Sequence, residues 1–265
     1  MGDYRDIFGG SLADPATFWA DAAAAVTWTR APMRILDDDN PPFYRWFPDA
    51  ELNTCANALD RHIPDRGDQA ALIFDSPVTD SRRTYSYREL LDETARFAGV
   101  LCNLGVGKGD RVVLYMPMIP EAVIAMLACA RLGAVHSVVF GGFASHELAT
   151  RIDDARPAVI VSASCGVEAT RVIGYKPMLD HALQRATHQP SACVIVQRDR
   201  HRCDLIYGRD HDWADLMAAA DPADPVPVAA TDPLYVLYTS GTTGTPKGIV
   251  RDNGGHAVAL LWSMR

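Results

Sequence analysis

The spacing of apolar residues changes character near residue 68. From there on, short continuous runs of Val, Ile, Leu and Ala alternate with longer segments whose apolar residues recur every three or four positions. Residues 70–74 predict a short strand. Thr84-Tyr85 leads into Ser86-Tyr87-Arg88-Glu89, a capping box. The helix it opens carries Leu90, Leu91, Thr94, Phe97, Ala98 and Leu101 on one face, and Gly105 stops it. Residues 111–116 read as a strand. Pro120-Glu121 starts a helix over 122–132 that is apolar nearly all round, and so buried, and Gly133 ends it. Residues 135–140 are the next strand, followed by Gly141-Gly142 and a helix that Ser145 caps and that runs to about Ala155. Further strands fall at 158–161 and 192–197, helices at 175–186 and 212–220, and a proline-rich surface connection at 221–232. A last strand at 234–238 enters a Ser/Thr/Gly-rich loop, and 257–262 is an apolar helical run.

Continuous Val/Ile/Leu strands separated by helices imply an α/β fold whose mainly parallel sheets are covered by helices. In such sheets functional loops lie at the carboxyl ends of strands. Three Gly- or Ser/Thr-rich turns satisfy that rule: Gly141-Gly142, residues 162–166 and residues 239–248.

Residues 1–60 differ. They are rich in aromatics (Phe18, Trp19, Trp28, Phe43, Tyr44, Trp46, Phe47) and prolines, and they predict one helix over 15–26 with Asp14 as N-cap before Pro15. The remainder reads as an irregular arm that packs its rings on a larger body.

Charge narrows the function classes. The chain has 25 basic and 33 acidic residues, a net charge of −8, which argues against general nucleic-acid binding. Its six cysteines are scattered without C-x-x-C or zinc-like spacing, so they read as reduced packing residues and no metal site is expected. No signal-like N-terminus and no apolar run of roughly 18 residues is present, so a cytoplasmic setting is expected.

The strongest chemical signal is Thr239-Ser240-Gly241-Thr242-Thr243-Gly244-Thr245-Pro246-Lys247-Gly248. Hydroxyls, backbone N–H groups freed by glycine and one ammonium are what a polyphosphate needs. The Walker pattern fails, because Pro246 stands where its second glycine belongs and Gly248 follows the lysine in place of Ser or Thr. A plain surface loop of small residues is the competing reading.

This run resembles the phosphate-binding signature of adenylate-forming enzymes, the superfamily of acyl-CoA synthetases. Residues 46–53 and 57–60 resemble the N-terminal extension of acetyl- and propionyl-CoA synthetases, as do 115–121 and 133–143, and Arg251-Asp252-Asn253-Gly254-Gly255-His256 is closer to the propionyl branch. The resemblance implies an N-terminal extension over 1–62 and an incomplete AMP-binding domain over 63–265. It also implies a ligase that joins propionate or acetate to ATP, giving an acyl-adenylate and pyrophosphate, before CoA displaces AMP. Thr239, Ser240, Thr242 and Thr243 would then offer hydroxyls to the β- and γ-phosphates, Gly241 and Gly244 backbone N–H groups, and Lys247 its charge. Glu168, Ala169, Thr170 and Arg171 match the family's CoA-phosphate segment, with Glu168 where short-chain members tend to carry Arg. Gly141-Gly142 resembles the glycine pair beside the CoA path. The magnesium ligand, the acyl pocket and the adenylation lysine of the family have no counterpart here. The expectation is therefore a truncated ligase, inactive alone and needing the missing C-terminal half, with a non-catalytic nucleotide- or CoA-binding module as the alternative. No catalytic residue is assigned. His136 and His256 read as packing residues, Asp153-Asp154 as unable to form a shared-proton dyad, and Arg82-Arg83 as a solvated turn.

Overall fold

A computed structural model of the chain describes residues 3–169, 171–239 and 246–264. Its centre is a seven-stranded sheet. The strands are β1 (Arg111–Met116), β2 (Val135–Phe140), β3 (Val159–Ala163), β4 (Ala192–Val196), β5 (Asp210–Asp212), β6 (Pro233–Thr239) and β7 (Lys247–Asp252). They lie side by side as β5-β4-β3-β1-β2-β6-β7. All neighbours are parallel except β6 and β7, which are antiparallel. The helices that follow the arm are α1 (Tyr87–Asn103), α2 (Pro120–Leu132), α3 (Ser145–Ala155), α4 (Tyr175–Arg185), α5 (Trp213–Ala219) and α6 (Asn253–Ser263).

Alternate residues of a strand face opposite sides, and β1 divides accordingly. Val112, Leu114 and Met116 join the core under α1, α2 and α5, where Phe97 stacks on Trp213 with ring centroids 3.8 Å apart. Val113 and Tyr115 join the core under α3 and α4. Helix α2 is buried because it is apolar all round: Ala125, Ala128 and Cys129 are at 0% exposure. The capping box forms as expected, with Ser86 Oγ accepting the Glu89 N–H at 3.2 Å and Glu89 Oε2 accepting the Ser86 N–H at 2.8 Å. Gly133 closes α2 at φ +70°, a conformation that only glycine adopts cheaply.

The arm is less irregular than its composition suggests. A helix at Tyr4–Ala13 precedes the expected one, which spans Pro15–Ala23 and stops short of Val26. Asp14 caps the second, accepting the Thr17 N–H at 3.1 Å. The arm is anchored by polar groups that finish the ends of α2. Asn53 Nδ2 donates to the carbonyls of Ala130 and Arg131 in the last turn of α2, where neither receives the N–H four residues on that a continuing helix would supply. The buried Arg131 guanidinium meets Asp60 at 2.9 Å. Arm residues Ala22, Phe47, Ala50 and Leu52 share a core with Ala230, Ala257 and Val258.

Four expectations need correction. Ser145 is the first residue of α3 and not its cap; Ala144 holds the cap position and its side chain has nothing to offer. The strand expected at 158–161 is β3, displaced to Val159–Ala163. Residues 162–166 are no open turn: Ser162 and Ser164 are at 0% exposure, with Ser162 Oγ donating to the Tyr115 carbonyl at 2.8 Å and Ser164 Oγ accepting the Arg198 N–H at 2.9 Å. Arg82 and Arg83 sit on a strand, Ser81–Ser86, paired with Ala70–Ser76. Among the elements not foreseen are the hairpin of Cys165–Glu168 with Arg171–Gly174 and the two edge strands β5 and β7.

Candidate functional site

The carboxyl edge of the parallel strands gathers the candidate residues. Thr239 ends β6 and Lys247 begins β7, and the two are directly opposite across the antiparallel pair. Both are exposed, and Lys247 makes no ion pair with any described residue. The expected phosphate ligands Ser240, Gly241, Thr242, Thr243 and Gly244 lie outside the described residues. Just before the loop, the Tyr238 hydroxyl donates to the Asp154 carboxylate on α3. Burial and the bonded Asp154 carboxylate both push that phenol's pKa up, so it stays a donor at neutral pH. Asp153 instead accepts the N–H groups of Thr187 at 2.7 Å and His188 at 2.8 Å. The two adjacent carboxylates thus serve different partners.

The second group of candidates surrounds the ends of β2 and β3. Gly141 and Gly142 follow β2, and an ideal Cβ on Gly141 would lie 2.3 Å from the Tyr175 ring. Only glycine fits there. Phe140, 65% exposed, stands beside the pair and meets Phe143 edge to face. The hairpin that starts at Cys165 turns at Ala169, which adopts φ +46°. Its Arg171 lies 3.6 Å from Glu168, with both side chains largely in water. Such an exposed pair holds weakly, by about 0–1 kcal/mol, so Arg171 remains open to a stronger anion. Thr170 lies outside the described residues.

Two hollows flank these groups. One of about 650 Å³ lies between the arm and α6, walled by Trp19, Trp46, Tyr235, Arg251, His256 and Leu260. His256 is held in the first turn of α6, where its N–H donates to Asp252 at 3.2 Å. Its ring meets Tyr235, whose other neighbour is His136. Burial, then the nearby His256, brings His136 down to about 4, so it is neutral at physiological pH. The other hollow, about 560 Å³, is lined by Arg82, Arg83, Arg198, Arg200 and Glu121. Arg83 lies over the Tyr85 ring at 4.1 Å. Tyr175, Phe140 and Arg198 carry no local sequence signal, since each matters only through partners brought in by the sheet.

Among the described residues no three His, Cys, Asp or Glu side chains form a metal-binding group. None of their helices is long and apolar enough to cross a membrane. All six cysteines are free.

Comparison with known proteins gives this geometry a context. The family description of AMP-binding enzymes matches residues 59–265, and that of the acetyl-coenzyme A synthetase N-terminus matches residues 4–58. The mitochondrial acyl-CoA synthetase short-chain family member 3 of Rattus norvegicus is 51% identical over 265 residues, covering 99% of this chain and 39% of its own length. The propionate–CoA ligase of Escherichia coli is 47% identical over 264 residues, covering 98% of this chain and 42% of its own. The solved structure of acetoacetyl-CoA synthetase from Streptomyces lividans superposes with a TM-score of 0.90 at 30% identity, over 100% of this chain and 40% of that one. The chain therefore spans about two fifths of the length of these relatives.

Proposed function

The chain belongs to the AMP-binding enzyme family, and from that premise we propose that it forms the phosphate-loop portion of a short-chain acyl-CoA ligase. The reaction is carboxylate plus ATP to acyl-adenylate and pyrophosphate, then CoA plus acyl-adenylate to acyl-CoA and AMP. Propionate is the preferred acid and acetate the second. Residues 1–62 act as the extension and 63–265 as the nucleotide-handling body. The observation that supports this reading most directly is the run from Thr239 to Gly248 at the carboxyl end of β6, where loops of parallel sheets meet ligands.

The chemistry asked of these residues is positioning and charge neutralisation. Thr239, Ser240, Thr242 and Thr243 offer hydroxyls to the β- and γ-phosphates of ATP, and Gly241 and Gly244 offer N–H groups. Lys247, exposed and unpaired among the described residues, neutralises the departing pyrophosphate. ATP arrives as its magnesium complex, and no residue here is assigned to that ion. Glu168, Ala169, Thr170 and Arg171, with Gly141 and Gly142, take CoA. Six free cysteines agree with the reducing cytoplasm as the setting.

Propionate-dependent exchange of labelled pyrophosphate into ATP tests the reading. In a protein of the relatives' full length that carries these residues, exchange is expected, and Lys247→Ala lowers it by about 10²-fold. Exchange indifferent to that change removes Lys247 from the site, and no exchange with any short-chain acid sinks the ligase reading. The 265 residues alone are expected to bind nucleotide without exchange.

A further inference from the structure

We propose that Tyr175 is a positioning residue for CoA, a rigid spacer that fixes the Gly141-Gly142 turn against the hairpin bearing Glu168 and Arg171. The inference rests on the CoA half of the reading above.

Tyr175 opens α4 and is 5% exposed. A Cβ on Gly141 would fall 2.3 Å from its Cε2, and one on Gly166 would fall 2.5 Å from its Cε1. The two glycines therefore press on opposite edges of one ring, each closer than any side chain tolerates. Gly141 follows β2, and Gly166 lies in the outgoing strand of the hairpin. The hairpin strands pair only with each other, and β2 pairs with β1 and β6. Among the described residues no ladder of hydrogen bonds joins the two turns, so the ring is what spaces them.

Tyr115 backs the ring from behind. Their centroids are 5.2 Å apart. The Tyr115 hydroxyl donates to the Phe143 carbonyl at 2.9 Å, which fixes the far side of the glycine turn. The Tyr175 N–H donates to the Ser164 carbonyl at 3.1 Å, which holds the base of the ring just before the hairpin. An aromatic ring spans such a gap at little cost in side-chain freedom. A leucine would fill the core but would not reach from one glycine to the other.

Titration of CoA onto the chain, with ATP as the control ligand, tests the spacer. Tyr175→Phe is expected to bind CoA within about twofold of the parent, whereas Tyr175→Leu and Gly166→Ala each bind about tenfold more weakly, because a displacement near 1 Å is costly in a fitted site. The double variant is expected to be no weaker than either single one, as for residues acting through one contact. ATP binding stays unchanged throughout. Parental CoA affinity in Tyr175→Leu, or additive losses, overturns the proposal. If the parent chain does not bind CoA, or Arg171→Ala leaves CoA binding unaltered, the CoA reading itself has failed and the positioning role goes with it. Amide exchange then tells the two failures apart: a true spacer lets residues 166–173 exchange about tenfold faster in Tyr175→Leu while β1 and β3 keep their protection. Unchanged hairpin protection refutes the spacer on its own.

Discussion

His136 shows what burial does to a single ionisable group. It sits on β2 with its Nδ1 unpartnered, facing Tyr235 and, beyond it, His256 and Arg251. The folded state holds its pKa at about 4, against 6.5 for the free side chain. The unfolded chain therefore binds the extra proton first as pH falls. Stability from this residue is complete above about pH 6.5 and is lost between there and about pH 4, by up to about 3 kcal/mol. Urea titrations across that range are expected to show the decline, and His136→Leu is expected to flatten it while costing little at pH 7, since it removes an orphaned polar atom. A slope that survives the substitution would assign it to another group. The packing role was legible from Val-His-Ser-Val-Val, but the missing partner was not, because the motif shows only that an imidazole interrupts an apolar strand.

At the scale of elements, the sequence was most readable where structure is set locally. The capping box, the glycine stop after α2 and the all-round apolar α2 each follow from residues within a few positions of one another. The hairpin of Cys165–Glu168 and Arg171–Gly174 was hidden because its polar tip resembles any loop. Strand β7 was hidden because Gly248, Arg251 and Asp252 dilute its apolar pair. Charge pairing across elements was equally invisible. Lys176 of α4 meets Asp180 at 2.6 Å and Asp210 of β5 at 3.0 Å, and Arg209 contacts both carboxylates. Asp210 has no exposed side-chain surface. Asp210→Ala leaves two cations short of a partner in a buried setting and is expected to cost about 3 kcal/mol. Equilibrium unfolding measures it, and a loss below about 1 kcal/mol would reduce the quartet to a surface network.

At the scale of the molecule, the division into α/β layers was legible, and so was the position of Thr239 at a strand's carboxyl end. The docking of the arm was not, because it depends on Asn53 and Asp60 finding helix ends distant in sequence. The face of the sheet that α1, α2 and α5 cover over β1 is open in part over β2, β6 and β7. Val138, Phe140, Leu237 and Ile249 share it by register and are each 40–65% exposed. Contiguous apolar surface of this kind favours association. The chain by itself is expected to bind a hydrophobic dye and to sediment heavier as its concentration rises, and Leu237→Lys is expected to reduce both. Ideal monomeric sedimentation at all concentrations would show that the face is not sticky.

The pairing of Thr239 with Lys247 carries a mechanical meaning. The residues between them form a noose whose knot is already tied, because the antiparallel ladder pins its two ends about 5 Å apart. The ladder itself brings these two ends together. Lengthening the noose alters its entropy only logarithmically. Slipping β7 by a single residue against β6 would instead turn the ammonium of Lys247 to the opposite face of the sheet. On the phosphate-binding reading proposed above, the grip on a polyphosphate is thus set by the knot rather than by the rope.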